Sequence, residues 1–285
     1  MDYHVHPYYS MDAEPYSLDS YCERALVMGL QELCFTTHFE CDPERRNIDW
    51  LVRFHGQAYP MDNWSWIEFY LKDIERVREK YKPLRLSIKS GVEVGYDLGL
   101  ERVIEVLIKN YPWDFVLGSV HCLNHIAISS DKESPQYFKG RTAQSVCKDY
   151  FAILSEAVSS KLFDCIGHLD IYKRYGLKYL GEELYNIELD YLSELLKSIA
   201  KHGLGIEINT SGQRKGLEFF PSRKILLLAK ECGVKIFTVG SDAHRISELG
   251  MGVAEAVQLL NDQDLFIYSF DKRKPLPRNL LKSIK

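Results

Sequence analysis

Histidine and carboxylate side chains recur at one kind of position in this sequence, the end of a short apolar stretch. His4 and His6 stand two positions apart near the start of the chain, and Asp242 and His244 have the same spacing near its end. Residues two apart on a β-strand point to the same face, so each pair can present its side chains together. The other members of this set are His38, Glu93, His121 and His168. Buried imidazoles and carboxylates are costly unless cations bind among them, so the set predicts a multinuclear metal site.

These residues belong to a chain that alternates strand-like apolar stretches with longer amphipathic ones, as repeated β/α units do. The predicted strands are the N-terminal stretch ending at His6 and residues 32–38, 85–93, 114–121, 163–168, 204–209 and 235–240, with 265–270 as a further short candidate. The predicted helices are 17–28, 66–81, 98–110, 141–160, 186–202, 221–232 and 252–262. Three connections, 39–65, 122–140 and 169–185, lack clear periodicity and are predicted to be irregular loops; so long a connection as 39–65 is more often functional than structural.

The alternation predicts an α/β fold in which parallel strands form a barrel. The carboxyl ends of the strands in a (β/α) barrel converge on one mouth, where such proteins hold their active sites. The ligand candidates all lie at these ends, so we expect them to meet there. The sequence contains no internal repeat or interdomain linker, and we predict a single domain over residues 1–285.

Composition narrows the classes of partner. The formal net charge of −4 leaves no general basic footprint, so we expect no nucleic-acid partner. No apolar run approaches ~18 residues and no signal peptide precedes the first motif, so we expect a cytoplasmic protein with no membrane partner. The seven cysteines form no C-x-x-C pair, which is typical of free thiols in a reducing compartment.

Taken in order, the motifs resemble those of the polymerase-and-histidinol-phosphatase (PHP) superfamily. They read His4-x-His6, Thr37-His38, Glu93, Gly-Ser-Val-His121, Gly-His168 and Ser-Asp242-Ala-His244, and they span positions 2 to 244. The resemblance implies a single distorted (β/α)7 TIM-like barrel that holds up to three metal ions. Within the superfamily, the form of the His121 motif, Ser10-x-Asp12 and the segment 206–212 are similar to those of histidinol-phosphate phosphatases.

The resemblance also implies a set of ligands for three metal sites. The first site consists of His4, His6, Glu93 and Asp242, the second of Glu93, His121 and His168, and the third of Asp12, His38 and His244. Many relatives carry an acidic residue where this chain has Thr37, a departure that bears most on the third site. The alternative for Asp12 is a solvated loop carboxylate. Imidazole and carboxylate ligands without thiolate suit zinc, iron or manganese, so we expect two to three divalent ions of these elements. His55, His125 and His202 fall outside the pattern and are not predicted ligands.

Two arginines and a group of aromatic residues complete the predicted site. Arg174 and Arg214 lie in predicted mouth-side loops, where a guanidinium can hold two oxygens of a phosphate; a solvated loop charge is the competing interpretation for each. The aromatic side chains of Tyr59, Trp64 and Trp66 could stack on a substrate's imidazole ring, or could instead pack as a lid.

The predicted function is hydrolysis of L-histidinol phosphate, a small-molecule phosphate ester, to L-histidinol and phosphate. Metal ions lower the pKa of bound water from 15.7 toward ~7, and a hydroxide bridging the first two metals would attack phosphorus while Glu93, Asp242 and the arginines complete the catalytic set. One alternative is a PHP phosphoesterase that acts on another small ester or a nucleotide. Another is a non-catalytic, metal-stabilised interaction domain, which the apparently complete ligand set disfavours. The sequence gives no indication of oligomeric state.

Overall fold

A long, mostly parallel sheet forms the centre of the computed structural model, which describes residues 1–187 and 189–278. The strands are β1 (Asp2–Val5), β2 (Glu32–Phe39), β3 (Leu51–Phe54), β4 (Gln57–Pro60), β5 (Ser87–Gly95), β6 (Phe115–Ser119), β7 (Cys122–Leu123), β8 (Ile126–Ala127), β9 (Cys165–Ile166), β10 (Gly205–Asn209), β11 (Ile236–Gly240), β12 (Ile267–Asp271) and β13 (Lys274–Arg278). Nine of these form the central sheet in the order β1-β2-β5-β6-β9-β10-β11-β12-β13 within the described residues. Neighbours are parallel except β12 and β13, which are antiparallel.

Helices cover the sheet. They are α1 (Leu18–Val27), α2 (Ser65–Tyr81), α3 (Glu101–Asn110), α4 (Ser134–Phe138), α5 (Ala143–Ser160), α6 (Lys173–Leu180), α7 (Leu184–Ile187), α8 (Leu189–His202), α9 (Arg223–Glu231) and α10 (Val253–Asp262). The side chains of Ser17 and Thr142 cap α1 and α5 by accepting hydrogen bonds from backbone amides of the first turn.

Apolar periodicity explains how the helices pack on the sheet. Helix α2 buries one stripe, formed by Trp66, Ile67, Tyr70, Ile74, Val77 and Tyr81. The Tyr70 hydroxyl donates to the backbone carbonyl oxygens of Phe35 in β2, at 2.9 Å, and Gly91 in β5, at 3.0 Å. All residues of β6 and β10 are buried, as expected for strands covered on both faces.

Backbone hydrogen bonds connect β1 to the segment that follows β11. The His6 amide donates to the Ala243 carbonyl oxygen at 2.9 Å, and Val5 and Ala243 form a parallel bridge. The buried carboxylate of Asp2 accepts from the backbone amides of Ser241, at 2.8 Å, and Gly250, at 3.0 Å. The C-terminal ends of β1 and β11 therefore lie side by side, although they are far apart in the sequence.

The prediction that three connections are irregular loops is wrong, because each of them contains helices or strands. Residues 39–65 contain the β3–β4 hairpin, and residues 122–140 contain the β7–β8 hairpin and α4. Residues 169–185 contain α6 and the start of α7. Strands of two to four residues and helices of four to eight are too short to establish a recognisable period. The predicted helix 186–202 is divided between α7 and α8, and Glu188 lies outside the described residues.

The strand β13 was also absent from the prediction. Its sequence is Lys-Pro-Leu-Pro-Arg, and the prolines Pro275 and Pro277 disfavour a strand in most settings. Proline is accommodated on an edge strand, where one side of the backbone needs no partner. β13 is at the edge of the sheet, paired only with β12 in the described structure.

Among the described helices, none combines the length and the apolar character needed to cross a membrane.

Candidate metal centre

The predicted ligands come together at the C-terminal ends of the parallel strands. His4 lies in β1 and His6 just beyond it, His38 and Glu93 are register partners in β2 and β5, His121 follows β6, His168 follows β9, and Asp242 and His244 follow β11. Two of these residues, His168 and Asp242, have positive φ angles of 23° and 55°, which non-glycine residues seldom adopt. The fold therefore holds part of the centre in an unfavourable backbone conformation, a feature that concentrates at functional sites.

One oxygen of the buried Glu93 carboxylate faces His121 and His168. Glu93 Oε1 lies 3.1 Å from His121 Nε2 and 2.9 Å from His168 Nε2, and it accepts a hydrogen bond from Ser119 Oγ at 2.7 Å. The two imidazole Nε2 atoms are 3.3 Å apart. These atoms correspond to the second predicted site.

The other oxygen of Glu93 faces a different group of imidazoles. Glu93 Oε2 lies 3.2 Å from His4 Nε2, 3.3 Å from His6 Nε2 and 3.0 Å from His38 Nδ1. It is buried, and it makes no hydrogen bond to any side chain or backbone group that the structure describes. A buried carboxylate oxygen surrounded by ring nitrogens, none of them aligned to donate to it, matches the environment of an oxygen that binds a cation.

His4, His6 and Asp242 form the first predicted site with Glu93. The Nε2 atoms of His4 and His6 face each other at 2.9 Å, and Asp242 Oδ1 lies 3.6 Å and 3.4 Å from them. One ligand atom from each of these three buried residues lies within 4.8 Å of the others. Two imidazole nitrogens this close need a proton or a cation between them. This nitrogen and oxygen donor set suits zinc, manganese or iron.

The third predicted site is more open. Asp12 Oδ2 lies 3.2 Å from His244 Nε2 and 3.5 Å from His38 Nε2, and the two Nε2 atoms are 3.4 Å apart. The Asp12 side chain is 60% exposed, so this group is at the solvent side of the centre. Since His38 Nδ1 also faces Glu93 Oε2, the His38 ring lies between that carboxylate oxygen and the third site.

The electrostatics of the centre favour bound cations. Burial disfavours the charged form of His4, but Glu207 and Glu93 outweigh this effect and raise the pKa of His4 well above its usual value. Burial likewise raises the pKa of Glu93, but the surrounding imidazoles, His4 first, outweigh it and hold the pKa well below normal. The pKa of Asp242 is lowered in the same way. Burial and the neighbouring imidazoles lower the pKa of His6 to about 4. The carboxylates are therefore anionic, as metal ligands must be, and the raised pKa of His4 reflects the excess of negative charge around it, which a bound cation would balance.

Two carboxylates that the sequence analysis did not select orient the imidazoles. His4 Nδ1 donates to Glu207 Oε1 at 2.6 Å, and His121 Nδ1 donates to Glu40 Oε1 at 2.8 Å. Each contact places the ring proton on Nδ1 and leaves Nε2 free to bind a metal. The sequence contained a signal for Glu40, because it lies two residues after His38, just beyond the end of β2, and residues two apart on a strand point to the same face. Glu207 offered only the weaker signal of an acid in an otherwise apolar strand.

Thr37, where the resemblance implies an acidic residue, takes part in a hydroxyl chain. Thr37 Oγ1 and Ser10 Oγ are 3.0 Å apart, and Ser10 Oγ lies 3.2 Å from His6 Nδ1. The Ser10 hydroxyl therefore contacts the ring edge of His6 that points away from the centre. In this chain a neutral hydroxyl pair occupies the position that the resemblance assigns to a carboxylate.

The two predicted phosphate-binding arginines have different surroundings. Arg174 lies in the first turn of α6, and its Nη2 contacts Ser211 Oγ at 2.5 Å and Asp242 Oδ2 at 3.2 Å. It lines the cavity at the centre. Arg214 lies in a 3₁₀ helix, Thr210–Lys215, and donates to the carbonyl oxygens of Ser241 at 2.7 Å and Asp242 at 2.9 Å. Its guanidinium lies behind the turn that carries Asp242 and is not among the side chains that line the cavity.

The centre opens into a cavity of about 480 Å³. Apolar side chains of its walls include Met11, Ile48, Leu51, Met61, Ala127 and Ile171. Of the two roles left open for Tyr59, Trp64 and Trp66, the structure favours packing over stacking on the substrate, because none of these residues lines the cavity. The Trp66 ring is buried, and the Trp64 ring packs edge-on against Phe39 at 6.0 Å. Aromatic content alone could not distinguish a stacking platform from packing beneath a loop.

Comparison with known proteins identifies the family. A family model described as "PHP domain" matches residues 2–211, and the chain belongs to this family, as predicted. The probable histidinol-phosphatase of Deinococcus radiodurans is 30% identical over 260 residues, which cover 90% of this chain and 91% of the relative. The histidinol-phosphatase of Lactococcus lactis subsp. lactis is 28% identical over 248 residues, covering 86% of this chain and 84% of the relative.

The fold is also similar to a solved structure. The crystal structure of histidinol phosphate phosphatase from Lactococcus lactis subsp. lactis, complexed with zinc, L-histidinol and phosphate, superposes with a TM-score of 0.77 at 24% identity. The match covers 96% of this chain and 98% of that one. A structure from Listeria monocytogenes, described as the putative histidinol phosphatase, superposes with a TM-score of 0.75 at 19% identity. The chain therefore has the α/β fold of these PHP proteins.

Proposed function

We propose that this protein is a metal-dependent phosphomonoesterase that hydrolyses L-histidinol phosphate to L-histidinol and inorganic phosphate. The observation that carries this function is the position of Glu93, whose two carboxylate oxygens face two separate groups of imidazole nitrogens in a buried centre. The curated relatives named histidinol-phosphatase match most of their own length to this chain, which supports the substrate.

Three groups of side chains would hold two to three divalent ions. They are His4, His6, Glu93 and Asp242; Glu93, His121 and His168; and Asp12, His38 and His244. The donor set fits zinc, iron and manganese. Zinc is favoured among these by its presence in the similar Lactococcus lactis structure. Bound ions of this kind polarise phosphoryl oxygens and lower the pKa of water from 15.7 toward ~7.

The protein's own residues orient the ester and neutralise its charge. Arg174 presents a guanidinium to the cavity beside Asp242, where it can donate to the oxygens of a phosphate dianion. Arg214 holds the backbone carbonyls of Ser241 and Asp242, and so supports the turn that carries Asp242 and His244. A contact of Arg214 with phosphate remains a prediction. Glu207 and Glu40 fix the imidazole rings of His4 and His121.

The architecture is proposed to be a distorted (β/α)7 barrel that forms one domain over residues 1–285. The parallel strands from β1 to β11 number seven in the described sheet, and the hydrogen bond from His6 to Ala243 supports closure between the first and the seventh. Residues 279–285 lie outside the described residues. A cytoplasmic location, and the absence of nucleic-acid and membrane partners, remain predictions from the sequence.

A panel of phosphate esters tests the function. The purified protein is reconstituted separately with zinc, manganese and iron(II), and kcat/KM is measured for L-histidinol phosphate, a nucleoside monophosphate, a sugar phosphate and p-nitrophenyl phosphate. We expect histidinol phosphate to give the highest kcat/KM, and a chelator to abolish turnover. A higher value for a nucleotide or sugar phosphate would identify a different phosphoesterase. Full metal content without turnover of any ester would identify a non-catalytic domain.

A further inference from the structure

A second wall of the cavity is also polar, but it carries none of the predicted metal ligands. This wall is formed by the segments 39–65 and 122–140, and it carries the side chains of Arg45, Asp49 and Glu133. Arg45 is only 3% exposed, and its Nη1 also donates to the His125 carbonyl oxygen at 2.7 Å. The guanidinium therefore ties the two segments together and gives the attached carboxylates a fixed position.

The two carboxylates on Arg45 are not equivalent. Arg45 donates to both oxygens of Glu133, from Nη1 at 2.7 Å and from Nη2 at 3.0 Å. Asp49 receives a single bond, from Arg45 Nε to Oδ2 at 2.6 Å. In the contacts of the described residues, Asp49 Oδ1 has no hydrogen-bond partner. Lys132 also lines the cavity, but in the contacts of the described residues it forms no ion pair with Asp49, which shares Arg45 with Glu133 and keeps one oxygen without a protein partner.

Apolar side chains flank Asp49 on the same wall. Ile48 precedes it, Leu51 follows two residues later, and Met61 lies across the β3–β4 hairpin; all three line the cavity. A carboxylate between apolar surfaces fits a flat ring that has an N–H group on its edge. A compact ammonium group would gain nothing from the apolar flanks.

The substrate carries such a ring at its far end. In histidinol phosphate, the ammonium-bearing carbon is next to the ester carbon, whereas the imidazole ring is the group most distant from phosphorus. With the phosphate at the metal centre and Arg174, the ring is the part of the molecule that extends toward the second wall. Burial raises the pKa of Asp49 to about 6, with a contribution from Glu40 and opposition from Arg45, so the group is mainly ionised at neutral pH.

We propose that Asp49 accepts a hydrogen bond from the imidazole N–H of the substrate and is a specificity-determining residue of this enzyme. This inference rests on the proposed function, since it assigns the imidazole end of the same substrate. Loss of a hydrogen bond to a charged group corresponds to a loss of about 10- to 100-fold in kcat/KM. The site rejects an analogue whose ring lacks the N–H for the same reason, because Asp49 is then left without a partner.

Two substrates and two variants test the inference. L-Phenylalaninol phosphate has the same phosphate and ammonium groups as L-histidinol phosphate but no ring N–H. We expect Asp49→Asn to lower the ratio of kcat/KM for histidinol phosphate over phenylalaninol phosphate by about 10-fold or more, with metal content unchanged. The matched control is Asp62→Asn, which alters a carboxylate of the same segment that pairs with Arg46 outside the cavity lining and should leave the ratio within about two-fold of wild type.

Each result decides between roles. An equal loss for both substrates in Asp49→Asn would show that Asp49 binds the ammonium group or only supports the wall, and would overturn the inference. An unchanged ratio would also overturn it while leaving the phosphatase function intact. If the wild-type protein does not turn over histidinol phosphate, both the function and the inference fail. Thermal unfolding of each variant identifies any general loss of folding.

Discussion

Two groups of histidine and aspartate side chains in this protein have similar composition but different settings. His4, His6 and Asp242 form one group, and Asp42, Asp97 and His125 form the other. In both, one ligand atom from each residue lies within 4.8 Å of the others. The first group is buried at the ends of two strands, whereas the second lies on loops, and the His125 side chain is 54% exposed.

The hydrogen bonds separate the two groups. In the loop group, His125 Nδ1 donates to Asp42 Oδ2 at 2.7 Å, and Asp42 Oδ1 accepts from the Glu44 amide at 3.0 Å. In the strand-end group, two imidazole nitrogens face each other at 2.9 Å beside a Glu93 oxygen that accepts no hydrogen bond among the described groups. A metal centre is therefore indicated by buried lone pairs that converge without donors. Residue type and proximity alone do not indicate one.

Replacing Glu93 should have the largest effect on the strand-end centre. Glu93→Gln removes the charge that faces both groups of imidazoles, so we expect metal content to fall and kcat/KM to drop by more than about 10²-fold. Asp12→Asn should cost less, because Asp12 is 60% exposed and its ion pairs among the described residues are with His38 and His244. Elemental analysis and steady-state kinetics measure both effects, and similar losses in the two variants would contradict the central position of Glu93.

Removing Arg174 should affect catalysis but not metal binding. Arg174→Ala deletes a charge-assisted contact with a phosphate dianion, and kcat/KM should fall by roughly 10- to 200-fold. Arg174→Lys should recover part of this loss, because lysine keeps the charge and loses the planar fork.

Arg214→Ala is the comparison for that variant. Its guanidinium donates to two backbone carbonyls and lies outside the cavity lining, so we expect a smaller loss in kcat/KM than for Arg174→Ala. Metal content near that of the wild type is expected in both. Equal losses would indicate that Arg214 also holds phosphate, and wild-type activity in both variants would show that the metals alone bind it.

Glu207→Gln tests whether orientation of the imidazoles contributes to the centre. Glu207 accepts from His4 Nδ1 at 2.6 Å with one oxygen, and from the His168 amide at 2.9 Å with the other. Glutamine has a single side-chain oxygen, so its amide group must oppose one of these donors. We expect metal affinity or activity to fall by about 10- to 100-fold. Competition with a chelator measures the metal affinity. If both the affinity and kcat/KM match those of the wild type, Glu207 does not contribute to the metal centre.

His125→Ala should have the smallest effect and completes the comparison. Its exposed pair with Asp42 should stabilise the fold by no more than about 1 kcal/mol, and metal content and kcat/KM should match the wild type. Denaturant unfolding and elemental analysis check these values. Loss of a bound ion from this variant would show that Asp42, Asp97 and His125 form a metal site. Satisfied hydrogen bonds would then not be a valid reason to exclude an exposed cluster as a metal site.

Much of the fold and of the centre could be predicted from local pattern. The predicted helix 66–81 is observed as Ser65–Tyr81, and the predicted strand 32–38 as Glu32–Phe39. Eight of the nine candidate ligands, all except Asp12, come together because each lies near the C-terminal end of a strand or just beyond it, and apolar runs locate strand ends. Family membership followed from the same motifs and is confirmed.

Other features depended on which strands are neighbours and which loops meet. Glu207 is 203 residues from His4, and the pair becomes visible only when the folded sheet brings β10 and β1 close together. The contrast between Arg174 and Arg214, and the absence of Trp64 and Trp66 from the cavity, likewise depended on packing. Periodicity and apolar runs are local properties, so they were enough to identify which residues can act as ligands and where along the chain they occur. Which carboxylate orients which imidazole, and which guanidinium faces the cavity, depends on contacts between residues far apart in the chain, so these features became visible in the folded protein.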